Sequence, residues 1–463
     1  MLGFRCTRLG AAVAGALVLL VAGCGGKHQA ATTTATTAPA VVQHGPPPRR
    51  IQVTVLDGDT GKPVARVRLS APGTHADGSV LVTRIRAKPI MVTGRAPGYG
   101  SVTSRLAPGA GRLTLSLYRP AGQWLLYGAS ANRNQYQPAI RLRPPFRVVW
   151  GRNLGTLLEF PAVVDDGTAY LSNLHGQLFA LSMSDGKVIW HIDMHTREED
   201  SSPAVFGSKL VAHVKAGRVL VLDRATGRIL WSHDVSGEVE SSPVIEGGID
   251  YLGDWSGDVY ALDLKTRKLR WTYHDGCKIT ASVAVVGRAL YLGDYCGRVF
   301  ALNRATGALL WTASAESPVY GTAAVAGGRV FVPSRDAGAL YAYTTSGQYL
   351  WHVSTGGLVY SAPAVWHGRV YFGSYTGRLY CVSATTGAVL WSLDTGGEIS
   401  GSPTVVDGVV YAGNFSHRIV GADARTGKQL FTFPHGEYVA VSGNSGRLLL
   451  YGWASLWAVE PRS

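Results

Sequence analysis

From about residue 146 onward, short apolar runs alternate with polar turns at a fixed beat. Runs such as Val259-Tyr260-Ala261-Leu262-Asp263 and Val299-Phe300-Ala301-Leu302-Asn303 read as buried strands. A turn follows most of them, with a Gly four residues ahead of a large aromatic: Gly186, Gly227, Gly307, Gly347, Gly387 and Gly427. Those aromatics are Trp150, Trp190, Trp231, Trp271, Trp311, Trp351 and Trp391, and Phe431 continues the series, at steps of 40 with a single 41. Before Trp271 the turn is Lys265-Thr266-Arg267, without the Gly. Earlier in each unit come a second turn and strand, and a short strand opening near Ser202-Pro203, Ser242-Pro243, Ala362-Pro363 or Ser402-Pro403. The period therefore predicts four strands per repeat, A to D, with the aromatic on D. One such sheet cannot bury both faces, so neighbouring sheets must stack, with the aromatic as the wedge between them.

The last strands, 438–441, 447–451 and 456–459, lack a D strand, and Phe146–Trp150 is a D strand lacking A to C. Joining them predicts an eight-bladed β-propeller over 122–463, closed by both ends of the chain, which removes its open sheet edges. Residues 51–118 have their own alternation and predict a small β-sandwich: Ile51-Gln52-Val53-Thr54-Val55, a long turn at Asp57–Val64, Arg66–Leu69, Asp77-Gly78, Ala96–Tyr99 and Leu113–Leu117.

The N-terminus reads as an export signal over 1–23, with Arg5 and Arg8 ahead of the apolar Leu9–Leu20. Its end, Val21-Ala22-Gly23-Cys24, resembles the bacterial lipobox, which implies lipidation of Cys24 and a lipid-anchored, extracytoplasmic protein. The Thr/Ala/Pro-rich stretch to Arg50 has nothing to bury and reads as a tether over 24–50. Export makes nucleic acid an improbable partner despite the net charge of +14, because the Arg residues are scattered rather than in blocks.

Two further resemblances bear on fold and function. The sandwich segment is similar, in its strand–DxxTGxPV–strand–DG–strand–APGY order, to the carboxypeptidase regulatory-like domain, which implies a non-catalytic module. The repeat AxDxxTGxxxW resembles the pyrroloquinoline-quinone (PQQ)-like repeat, a family that includes quinoprotein dehydrogenases and the outer-membrane assembly lipoprotein BamB. The segment Gln123–Gly128 with Asn132–Tyr136 looks like a lead-in of bacterial members, expected on the propeller's outside or across one face.

The repeat frame brings one set of candidate residues to one mouth. Asp200, Glu240, Tyr320 and Tyr360 stand just before strand A, and Lys278 and Glu398 two residues earlier in their repeats. The B–C turns supply Asp254, Trp255, Asp294, Tyr295, Tyr375 and Phe415. Aromatics beside carboxylates suit a peptide or a sugar. Cys277 and Cys296 fall in the D–A loop and the B–C turn of one repeat and are expected to form a disulfide, whereas Cys381 takes the place of a buried Ala. The dehydrogenases of the family use a vicinal Cys pair, a calcium-bound set of acidic and amide side chains and long insertions; this sequence has no adjacent Cys pair and no long insertion, nor does it have CxxCH, HExxH or GxSxG motifs. The expected function is a non-catalytic envelope lipoprotein whose propeller binds a protein or peptide, with no cofactor or metal. A cell-wall carbohydrate-binding module and a PQQ- and calcium-dependent dehydrogenase are the alternatives.

Overall fold

The computed structural model describes residues 49–83, 88–196, 198–199 and 201–462. The signal, Cys24, the tether up to residue 48 and Asp200 lie outside the described residues. The described residues are all-β apart from one 3-10 turn at Pro120–Gly122. No described helix is long and apolar enough to cross a membrane.

Two sheets over Arg49–Leu117 face each other. In the first, Arg49–Asp57 lies between Val80–Thr83 and Arg112–Leu117, the latter parallel to it. The second runs Thr74–Asp77, Arg68–Ala71, Ile90–Arg95, Val102–Leu106. Alternation along Arg49–Asp57 sends Ile51, Val53 and Val55 inward to meet Leu69, Leu81, Val92 and Leu115.

From residue 163 onward, eight sheets follow in chain order, the PQQ-type repeats of a β-propeller. Each is antiparallel, first strand to fourth, as in Val244–Glu246, Ile249–Gly253, Asp258–Asp263, Lys268–His274. In the last sheet Ser455–Pro461 pairs with Phe146–Asn153, so strands from both ends of the chain share one ladder. Its first strand is Val441–Gly443, three residues later than the apolar pattern suggests, because Tyr438 is taken up by the mouth described below.

The wedge between sheets has a repeated geometry. Each Trp ring lies over the C–D turn glycine of the following sheet: a Cβ on Gly307 would stand 2.6 Å from the Trp271 ring, and one on Gly387 would stand 2.8 Å from Trp351. For Trp150, Trp190, Trp271, Trp311 and Trp391 the indole N–H reaches a carbonyl of the same turn, as from Trp190 to Arg224 at 3.0 Å and from Trp311 to Thr345 at 2.9 Å. These glycines take positive φ, and Arg267, which replaces one, does so too at 61°, with its guanidinium over the Trp231 ring. In all eight sheets the register shifts beside the aromatic, where the fourth strand slips by one residue. The bulge exposes consecutive apolar residues such as Val389 and Leu390 and bends the outer edge away from straight pairing.

The lead-in does not lie on the outside. It passes along the free edges of the innermost strands, and their N–H groups donate to its carbonyls. Val205 donates to Leu125, Val285 to Ala131, Val325 to Asn132, Val365 to Asn134 and Val405 to Gln135, all at 2.8–2.9 Å. The periodic N–H of strand A thus finds a partner that the repeat itself does not supply. Arg133 anchors the segment with no exposed surface, donating to the carbonyls of Tyr127, Val283, Ser242 and Pro243 at 2.6–3.0 Å.

The turn at Asp57–Gly61 docks the sandwich on the propeller. Asp59 accepts from Gln123 Nε2 at 2.9 Å and from Asn444 Nδ2 at 2.8 Å, while Tyr118 lies over Gly167. Burial pushes the Asp59 carboxyl from 3.8 up to about 7, helped by the neighbouring Asp57 and Asp166 and opposed by the Gln123 amide. The folded chain therefore holds a proton that the unfolded chain has released. Stability from this site is full on the acid side and falls as pH rises through about 7. Asp59→Asn is expected to flatten this part of the pH–stability profile, as thermal unfolding between pH 5 and 8 (about the span of maximal stability) will show.

Candidate functional site

Antiparallel order puts every B–C turn and D–A loop at one end of the propeller. There, a repeated backbone bond joins the two loops of each repeat. Trp255 N–H donates to Glu238, Tyr295 to Lys278, Arg335 to Pro318, Tyr375 to Leu358 and Phe415 to Glu398, all at 2.8–2.9 Å. This is why positions 17 apart in sequence form one rim. In the fifth sheet that rim position is Arg335 rather than an aromatic. It was available to the repeat frame, 40 residues after Tyr295, but searching for aromatics and acids passed over it.

The rings are continuous around the rim. Centroids of Tyr295 and Tyr320 are 6.3 Å apart, Tyr320 and Tyr360 5.3 Å, Tyr360 and Tyr375 5.1 Å, Tyr375 and Phe415 5.8 Å, and Phe415 and Tyr438 5.1 Å. Most meet edge to face, the arrangement ring quadrupoles favour. At the other end of the arc the rings are covered by the chain's own cations. Lys278 Nζ lies 3.0 Å from the centroid of Trp255 and 4.9 Å from that of Tyr295, Lys215 lies 5.3 Å from Trp255, and Arg335 stacks 5.2 Å from Tyr295 and 5.9 Å from Tyr360. Burial holds the Lys278 ammonium below its usual value, with Glu240 pulling the other way. The arc itself continues from Tyr320 to Tyr438, and Trp453, 53% exposed in the B–C turn of the last sheet, adds an aromatic at the same end.

Carboxylates divide into two groups. Asp254 and Asp294 are fully buried and spent inside their own turns. Asp254 accepts from Gly237 N, Asp258 N and the Tyr260 hydroxyl, and Asp294 from Cys296 N, Arg298 N and Arg298 Nε. Glu240 stands inside the mouth, 3.2 Å from Lys215 Nζ, and Glu398 is exposed on the rim. Cys277 and Cys296 are joined as a disulfide with Cα atoms 6.0 Å apart, fastening the loop that carries Lys278 to the turn that carries Tyr295. Beside it, burial and the adjoining Asp294 push Asp275 up to about 6, and Arg298 pairs with both carboxylates. Cys381 is buried on the third strand of its sheet, and its thiol is pushed up to about 11 by that burial.

Below the rim, an axial cavity of about 90 Å³ is lined by Glu240, Thr280, Tyr320, Tyr360, Ser400 and Tyr438, with Glu159 and Phe160 opposite. Its depth carries hydroxyls through which neighbouring repeats bond, Ser242 N–H to Ser282 Oγ at 2.8 Å, Ser282 N–H to Thr322 Oγ1 at 3.0 Å and Ala362 N–H to Ser402 Oγ at 3.1 Å, with the series interrupted at Ala362, which has no hydroxyl to offer Thr322. The lead-in forms the floor through Tyr127, whose hydroxyl shares a bond with Ser402, and Gln135. No Lys or Arg lines the cavity among the described residues.

Fold and site together define a PQQ-type repeat propeller with an aromatic, carboxylate-bearing mouth over a hydroxyl-lined axial cavity. The chain belongs to the family described as outer membrane protein assembly factor BamB, which it matches over residues 147–275, 256–362 and 336–453. It is 31% identical to an outer membrane protein assembly factor BamB of Nitrosomonas eutropha over 24% of this chain and 27% of that protein. It is 24% identical to a quinoprotein ethanol dehydrogenase of Pseudomonas putida over 23% of this chain and 20% of that enzyme. The matched stretches thus span about a fifth to a quarter of these relatives. The crystal structure of BamB from Moraxella catarrhalis superposes with a TM-score of 0.58 over 68% of this chain and 98% of that one, at 17% identity, a likeness of fold.

A quinone cofactor of the dehydrogenase type carries carboxylates and calls for cations and a calcium-binding acid cluster. The cavity offers Glu159 and Glu240 instead. Among the described residues no group of three or more His, Cys, Asp or Glu is placed to hold a metal, and the disulfide bridges residues 19 apart rather than neighbours. This donor set does not suit the cofactor.

Proposed function

We propose that the chain is a non-catalytic envelope lipoprotein, anchored through Cys24, whose propeller is a closed ring of eight blades and binds a polypeptide partner at its mouth. The sandwich, read as a carboxypeptidase regulatory-like module, spaces the propeller from the anchor. The observation that carries this reading is the unbroken ring contact from Tyr320 to Tyr438. Tyr, Trp and Arg supply most binding energy at protein interfaces, because they bury large areas at low entropic cost. This rim carries all three. The family's description as an assembly factor agrees with a protein partner.

A carbohydrate reading has its own support in the hydroxyl-lined cavity, which offers donors and acceptors beneath aromatic faces. The two readings part in one experiment. Immobilised full chain is offered an envelope fraction, half of it pretreated with protease and half with wall-degrading glycosidases. A polypeptide partner is lost only after protease, and loss only after glycosidase supports the sugar. A parallel titration with PQQ and calcium is expected to leave the cofactor's absorbance unchanged, and saturable binding would reinstate the dehydrogenase.

A further inference from the structure

The sandwich has a surface that neither its core nor its docking uses. On the outer side of its first sheet, Arg50 stands opposite Val82, and Gln52 stands opposite Val80 and beside Arg112. All five are exposed, Val80 by 38% and Val82 by 46%. Val80 and Val82 stand two apart on one strand and so share a face, which places the two apolar side chains together beside the guanidinium groups.

Charge on this domain is one-sided. Between Arg49 and Tyr118 the sequence has three acidic residues, Asp57, Asp59 and Asp77. Asp57 and Asp59 are taken up in the docking turn, by Tyr99 and Arg119 and by Gln123 and Asn444, and Asp77 is paired with Arg68 at 3.3 Å. Arg49, Arg50 and Arg112 have no such acidic neighbour on their sheet. At the mouth end of the propeller acids and bases are mixed: Glu198, Glu238 and Glu398 are exposed, Glu198 lies 3.6 Å from Lys215 Nζ, and Lys278 and Arg335 lie on rings.

We propose that the outer face of the first sandwich sheet, built on Arg50, Val80, Val82 and Arg112, docks on the surface of an anionic lipid bilayer. Guanidinium groups meet lipid phosphates while the two valines enter the headgroup boundary, the pairing of charge and apolar area that holds proteins at such surfaces. The upstream chain enters the fold on this same sheet, at Arg49. An anchor in that upstream segment is therefore tied directly to the sandwich rather than to the mouth. The mouth, at the opposite end of the propeller, then faces outward. The contact orients a protein that a lipid chain alone would only hold.

The test uses the full chain with Cys24→Ser, so that no acyl chain contributes. Co-sedimentation compares phosphatidylcholine vesicles with vesicles containing phosphatidylglycerol, at low and high salt. Binding is expected to be about tenfold or more tighter to the anionic vesicles and to weaken with salt. Arg50→Gln with Arg112→Gln should remove most of that preference, and Val82→Asn should weaken binding at every salt concentration. Circular dichroism confirms that each variant is folded, and Arg288→Gln, on the propeller, serves as a charge control. Equal binding to both vesicles, unchanged binding by the Arg50/Arg112 variant, or binding to soluble polyphosphate without binding to vesicles would overturn the proposal.

Discussion

Arg133→Met is expected to cost about 3–5 kcal/mol of stability. The figure follows from leaving two or more buried carbonyls without a donor at roughly 1–3 kcal/mol each. The guanidinium has no exposed surface, and burial brings it down to about 10, so it stays charged at neutral pH. Its acceptors belong to the lead-in and to the entries of two successive sheets, so one side chain ties three separate segments. Methionine fills the space but donates nothing. Arg133→Lys keeps the charge and loses the fork, and should recover only part of the loss. Thermal and denaturant unfolding of the three proteins measure this directly. Because the lead-in floors the cavity, Arg133→Met should also loosen the mouth.

The second large effect concerns binding. Tyr320→Ala with Tyr360→Ala should weaken partner binding by about two orders of magnitude, as loss of central aromatic anchors does at about 2 kcal/mol or more each, less than additively. The two rings touch each other and link Tyr295 to Tyr375, so their removal breaks the arc at its centre. Both are only partly buried and belong to no sheet core, so the fold should survive. Trp255→Ala is expected to matter far less for a partner, because Lys278 and Lys215 already occupy its faces.

How much of this was legible in the chain follows from what a repeat can and cannot encode. The 40-residue period placed the docking Trp residues, the order of strands and the convergence of D–A loops with B–C turns, because each recurs at a fixed offset. It also put Cys277 and Cys296 within reach of each other. A period carries no information on which way one side chain turns. Asp254 and Asp294 share the rim with Trp255 and Tyr295 in sequence, yet they fold back to accept their own turns' N–H groups. The repeat frame puts Lys278 among the candidate binding residues of the mouth, and in the structure it lies on two rings. The lead-in occurs once and repeats nothing, so its course along the inner strands was not written in the pattern. The contact of Asp59 with Asn444 joins residues 385 apart. The shortage of acids on the sandwich was visible in composition all along and acquires meaning only once its faces are known.

The measurement that tests the central claim most directly is site-specific photo-crosslinking in intact cells. A photoreactive residue is placed at Tyr360 or Phe415 in the mouth, and at Arg288 or Thr426 on the opposite end of the propeller. Protease-sensitive adducts from the mouth positions, and none from the opposite end, are the predicted result. Adducts confined to Arg288 and Thr426, or none from any of the four, would contradict the mouth as the binding face.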